Sequence, residues 1–173
     1  MKQIEQMDSL ADERIAKMMA TMAVAAYLPA AINWTVIMGI MGAGAVSIGK
    51  AYGFKLSEED GSDLVRQFFV SAGTTWLMLN VGSKIVTALI QFTGVGYFFG
   101  ATFDAAMSCA QAYAVGGCAK TYFRKKYQGK KMSKTELGMI FREKLNEYKS
   151  THPDGPEAPQ ALAMNNNGYN LKD

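Results

Sequence analysis

From Ile85 to Phe123 the chain reads IVTALIQFTGVGYFFGATFDAAMSCAQAYAVGGCAKTYF, with Asp104 as the single charge before Lys120. A stretch this long, apolar and rich in Gly and Ala predicts helix packed on helix. Small residues at close spacing let helix backbones approach one another, in lipid or in a tight protein bundle. Gly94, Gly96 and Gly100 form one such cluster and Gly116 with Gly117 a second, while Gly39 adds a small position upstream. The rest of the chain then supplies apolar partners before this stretch and a basic exit after it.

Charge is segregated along the 173 residues, so the mean hydropathy of -0.01 conceals the pattern. Met18 to Gly49 is a run of 32 uncharged residues, and from Gln67 to Phe103 the only charge is Lys84. A membrane-spanning helix takes about 20 apolar residues, so several stretches are long enough or nearly so. A helix buried on all sides within protein reads the same way. If Met18 to Gly49 is a hairpin bent at Pro29, each arm barely reaches across a core of about 30 Å.

Helix signals mark most of the boundaries. Ile4, Met7, Leu10, Ile15, Met18, Met19 and Met22 form a helical stripe within residues 3–28. Pro29 interrupts it, and a second apolar helix is predicted over 30–52, with Gly53 as its stop. Ser57-Glu58-Glu59-Asp60 is an S-x-x-D start for a helix reaching Ala72. Asn80, Gly82 and Lys84 make a polar break between apolar runs. A long helix is predicted over 97–127, and Ser133-Lys134-Thr135-Glu136 is an S-x-x-E box opening another. Leu137, Ile140, Phe141, Leu145 and Tyr148 share one face of it. No stretch alternates as a half-buried strand does. The predicted fold class is all-α: a compact bundle of about five to six helices with Gly/Ala-rich apolar hairpins, inserted in a membrane on one reading. Residues 1–149 form the helical domain. Residues 150–173, with three prolines and an asparagine run, read as a disordered tail.

Between 120 and 134 stand seven basic residues and no acid: Lys120, Arg124, Lys125, Lys126, Lys130, Lys131 and Lys134. Such a cluster beside an apolar segment suits an anionic lipid surface. It equally suits a solvated helix end, where cations complement the macrodipole. Tyr122, Phe123 and Tyr127 interleave with it, a pattern that also serves single-stranded nucleic acid; the neighbouring apolar runs favour membrane-interface aromatics, and no nucleic-acid partner is expected.

Sites of chemistry are scarce. Gly94-x-Gly96-x-x-x-Gly100 lacks the preceding strand and the spacing of a dinucleotide loop. Asp104 is a candidate buried charge with Lys84 as its natural partner, set against a helix-boundary position open to water. His152 stands alone, so neither a metal site nor a catalytic triad assembles around it. Cys109 and Cys118, nine apart, follow no metal or redox spacing and read as buried thiols. Residues 1–17 are mixed in charge and do not resemble a signal peptide. No catalytic, cofactor-binding or metal-ligating residues are expected, and no cofactor.

The order of features carries a resemblance. An apolar helix interrupted at Pro29 leads to IGKAYGFKLSEED (Ile48 to Asp60). A middle helix, Lys84, GVGYFFG, an Ala-rich segment with Gly116-Gly117, and Thr121-Tyr122-Phe123 follow. Over about residues 20–148 this resembles the YcjF-like family, bacterial domains of unknown function that often follow Era-like GTPase domains. The chain itself has no G-x-x-x-x-G-K-[ST]. The resemblance implies a bacterial, all-helical, membrane-associated module at the inner membrane or its cytoplasmic face, acting with a separately encoded GTPase. The expectation is therefore a non-enzymatic scaffold that meets membrane lipid and forms a homo-oligomer. The alternatives are a soluble partner-binding module and a membrane-permeabilising factor.

Overall fold

The computed structural model describes residues 2–25, 30–73 and 97–152, and over 30–34 and 97–107 it describes the backbone alone. Five helices account for nearly all of this: α1 (Lys2–Ala25), α2 (Ala30–Ala51), α3 (Glu58–Ala72), α4 (Tyr97–Tyr127) and α5 (Lys134–Thr151). Every regular element among the described residues is helical, as the periodicity predicts. Pro29, Lys84, Gly94, Gly96, the Asn80–Lys84 break and most of the tail lie outside the described residues.

Local chemistry sets the helix ends. Ser57 accepts a hydrogen bond from the Asp60 amide at 3.2 Å while its own amide donates to Asp60 Oδ2 at 2.8 Å, a complete reciprocal cap for α3. Ser133 caps α5 through the Glu136 amide at 3.1 Å. The carboxylate of Glu136, however, turns first to Lys125, and that cation holds it below the ordinary glutamate range ahead of the Ser133 amide. Glycines at positive φ end three helices: Gly53 (82°) after α2, Gly73 (85°) after α3 and Gly129 (72°) after α4. At Gly129 the Lys130 amide reaches the Lys125 carbonyl at 2.9 Å and the Gly129 amide reaches the Lys126 carbonyl at 3.0 Å, the paired bonds of a Schellman motif. The last helix runs two residues past the expected boundary at 149, with Ser150 and Thr151 hydroxyls donating to the Glu147 carbonyl.

Helix α4 is the central element and packs against α1, α2 and α5; α2 lies between α1 and α3, and α3 meets α5. From Ser108 to Ala119 only Tyr113 is not fully buried. Val115, Cys118 and Phe123 meet a core that includes Met22, Ile37, Met41, Ile48, Tyr52, Val65, Phe68 and Phe141. Aromatic edges join the layers, with Phe69 on Phe141 at 5.6 Å and Phe54 on Phe123 at 5.4 Å between ring centres.

The membrane-inserted form of the fold is not supported: no described helix is long and apolar enough to cross a membrane. Gly, Ser and Thr interrupt the long uncharged runs, and the apolar side chains Ile37, Met41, Ala45 and Ile48 of α2 are spent on the protein core.

Candidate functional site

Glycines set the close crossings on which the site is built. A Cβ at Gly116 would stand 2.7 Å from Ile15 Cγ1, so the Ile15 side chain of α1 packs onto the α4 backbone at that glycine. One at Gly117 would stand 2.8 Å from Lys144 Cγ. Both serve as helix-packing positions. Gly39 does not serve inside the described fold: a Cβ there meets nothing within 4 Å. Gly100 and Asp104 fall within α4, where only the backbone is described.

Two glycines escaped the sequence reading. A Cβ at Gly61 would collide with the Gly42 carbonyl and with Val46, and one at Gly138 with the Ser71 carbonyl. Both sit near the starts of capped, amphipathic helices, where glycine costs roughly 0.5–1 kcal/mol relative to alanine. That local cost was the available signal, because only close approach offsets it.

The seven-residue basic cluster divides in two. Lys120 Nζ lies 2.6 Å from Asp12 Oδ1, Arg124 Nη1 lies 3.5 Å from Asp8 Oδ2, and Lys125 pairs with Glu136. These three tie α4 to α1 and α5. Asp8 and Asp12 are four apart on α1, and Lys120 and Arg124 are four apart on α4, so the antiparallel helices match charge turn for turn. The equal spacing was legible in the sequence, but their pairing was not. Tyr52 joins the same ladder: its buried hydroxyl donates to Asp8 Oδ1 at 2.6 Å. Burial, then this carboxylate, raises the tyrosine's pKa well above its ordinary value.

Lys126, Lys130, Lys131 and Lys134 form no ion pair among the described residues and are exposed. They occupy the C-terminus of α4 and the connection to α5. Lys126 lies over the Phe54 ring at 5.1 Å and near Tyr122 at 5.8 Å. That contact brings the α2–α3 connection, with exposed Lys55, beside the cluster. Exposed Glu58 and Glu59 start α3 on the same connection and offset part of the charge.

The aromatics near the cluster differ in availability. Phe123 is 1% exposed, and Tyr122 is edge-on to both Phe68 and Phe123, whereas Tyr127 is 40% exposed. Phe123 and Tyr122 are thus core groups rather than a stacking platform for bases.

Other candidate groups have structural partners. Cys109 and Cys118 are free and buried, and their thiols donate to the Met19 and Leu137 carbonyls at 3.8 and 3.7 Å. Burial pushes Cys109 up to about 11 and Cys118 up to about 12, the opposite of an activated thiol. His152 closes α5, its ring stacked on Tyr148 at 4.3 Å. The run Gly44-Ala45-Val46-Ser47-Ile48-Gly49-Lys50 comes within one residue of a phosphate-loop pattern, yet it lies in unbroken helix α2, with Gly49 closed over by Leu56 and Phe123. Among the described residues, no group of three or more His, Cys, Asp and Glu side chains converges to hold a metal.

No protein-family model matches this chain, and neither a curated protein nor a solved structure does.

Proposed function

We propose that this chain is a non-enzymatic helical module that docks on an anionic membrane surface through its lysine-bearing end. One observation carries the reading: Lys126, Lys130, Lys131 and Lys134 are exposed along one short segment and form no ion pair among the described residues, beside exposed Tyr127. A polybasic segment near an anionic bilayer gains about 1 kcal/mol per lysine at the surface. An amphipathic aromatic there suits the headgroup level. Docking of this kind is peripheral and needs no spanning helix. The scaffold role, self-assembly, a place at a bacterial inner membrane and a separate GTPase partner belong to the same proposal, supported by the resemblance to the YcjF-like family.

The test is co-sedimentation with vesicles of phosphatidylglycerol and phosphatidylcholine across a salt series. Binding should require the anionic lipid, weaken with salt, and fall at least roughly tenfold when the four lysines become glutamine. Equal binding to neutral vesicles, or binding that survives the four substitutions, rejects the reading.

A further inference from the structure

We propose that the groove between α1 and α5, floored by α4, binds one single-chain anionic amphiphile, its acidic head among Lys120, Arg124 and Lys144 and its apolar part along Ile15, Ala16 and Met19. The inference goes beyond surface docking and stands without it, because the groove opens on the flank of the bundle and uses none of the four unpaired lysines.

The groove encloses a cavity of about 470 Å³, within the roughly 300–1,000 Å³ range of small-molecule sites. Gly117 forms part of its floor. The stem of Lys144 lies over that glycine and carries its ammonium to Glu147 Oε2 at 2.6 Å. Tyr113 donates to the other oxygen of Glu147 at 2.8 Å, which fixes this wall. On the facing wall Ile15 is buried and Met19 half-buried, with Ala16 exposed at the lip.

Three cations line the cavity, and each holds one carboxylate: Lys120 that of Asp12, Arg124 that of Asp8 and Lys144 that of Glu147. An ammonium has three donors and a guanidinium five, so each cation keeps free donors after its one ion pair. A small hydrophilic anion would take up these donors and leave Ala16 and half-buried Met19 uncovered. A neutral apolar molecule would cover the side chains of α1 and strip water from cations that it cannot pair, which is costly. A carboxylate or phosphate on an alkyl chain satisfies both walls.

The experiment is isothermal titration calorimetry of the full chain with decanoate below its micellar concentration, with decanol and inorganic phosphate as comparison probes. Decanoate should bind saturably at one site per chain, at least roughly tenfold tighter than either comparison probe. Lys120→Gln with Lys144→Gln should weaken it by at least that factor, and Ala16→Trp, which fills the cavity from an exposed position, should do the same. Lys130→Gln with Lys131→Gln should leave it unchanged. Circular dichroism melts confirm that each variant is folded, and Ala16→Trp keeps the test decisive if the lysine variants are not. Equal affinity for decanol, equal affinity for phosphate, absence of saturable binding, or full binding by Ala16→Trp would overturn the proposal.

Discussion

Helices α2 and α4 have similar compositions, both apolar and studded with Gly and Ala, yet they meet their surroundings differently. Helix α4 is buried on nearly every side from Ser108 to Ala119. Along α2 one side faces the core through Ile37, Met41, Ala45 and Ile48, while Thr35, Gly39 and Ala43 are exposed, without a charge between them. The number of neighbours does not explain the contrast, since α2 packs against α1, α3 and α4 and α4 against α1, α2 and α5; what differs is that the side of α2 carrying Thr35, Gly39 and Ala43 is left open. An uncharged helix therefore need not be a covered one. In α4 Gly116 and Gly117 are contact points; on the outer side of α2 Gly39 is a vacancy in the side-chain layer, available to a second copy under the self-assembly reading.

The largest test of that contrast is Gly116→Leu. Its side chain would enter the space of Ile15 and Met18, an overpacking that costs about 1–3 kcal/mol. In a chain of 173 residues each kcal/mol lowers Tm by about 2–4 °C, readable in a thermal melt. A melt unchanged by this substitution would mean that α4 is not packed on α1 as described.

Tyr52 follows α2 and links it to both α1 and α4 through Asp8. Tyr52→Phe deletes one hydrogen bond to a carboxylate that Arg124 also holds, and stability should fall by about 1 kcal/mol. The pH dependence has a definite sign. Burial favours the neutral phenols of Tyr52 and Tyr148, the latter pushed up to about 12. Their contribution is complete below the ordinary tyrosine value of about 10 and disappears as pH climbs through the raised values. Stability should therefore decline on the alkaline side, and less steeply in Tyr52→Phe, as followed by denaturant titration at pH 8 to 11.

The smallest expected effect is a gain. Gly39→Ala adds a methyl group to open space and removes a poor helix former, so the fold should gain up to about 1 kcal/mol. If sedimentation shows self-association, Gly39→Leu should weaken it; a loss of monomer stability in Gly39→Ala would instead place this glycine at an internal contact.

Much of the architecture was legible because it is local. Ser57, Ser133, Gly53 and Gly129 announce helix ends by their own hydrogen-bonding and φ preferences, and all act there. What met the apolar faces was not legible, since lipid and protein demand the same residue types. The helix that holds Ile37 and Met41 suited either surrounding, and both side chains are core. The basic cluster was legible as a cluster only; its division into Lys120, Arg124 and Lys125, held by acids, and four lysines without ion pairs depends on partners from α1 and α5. The groove was invisible for the same reason, being assembled from three helices.

The ladder between α1 and α4 has a consequence for the order of assembly. Lys120 and Asp12 are 108 positions apart, whereas α1 with α2, α2 with α3 and α4 with α5 are neighbours along the chain. Closing a long loop carries an entropic toll before any contact rewards it. The neighbouring pairs can thus form early, with the ladder acting as a late clasp that seals two preformed halves. A one-turn slip of that clasp would set Asp12 against Arg124 and leave Lys120 opposite Ala16. The matched spacing of the four charges is thus a register mark, telling the second half of the chain where along the first it has arrived.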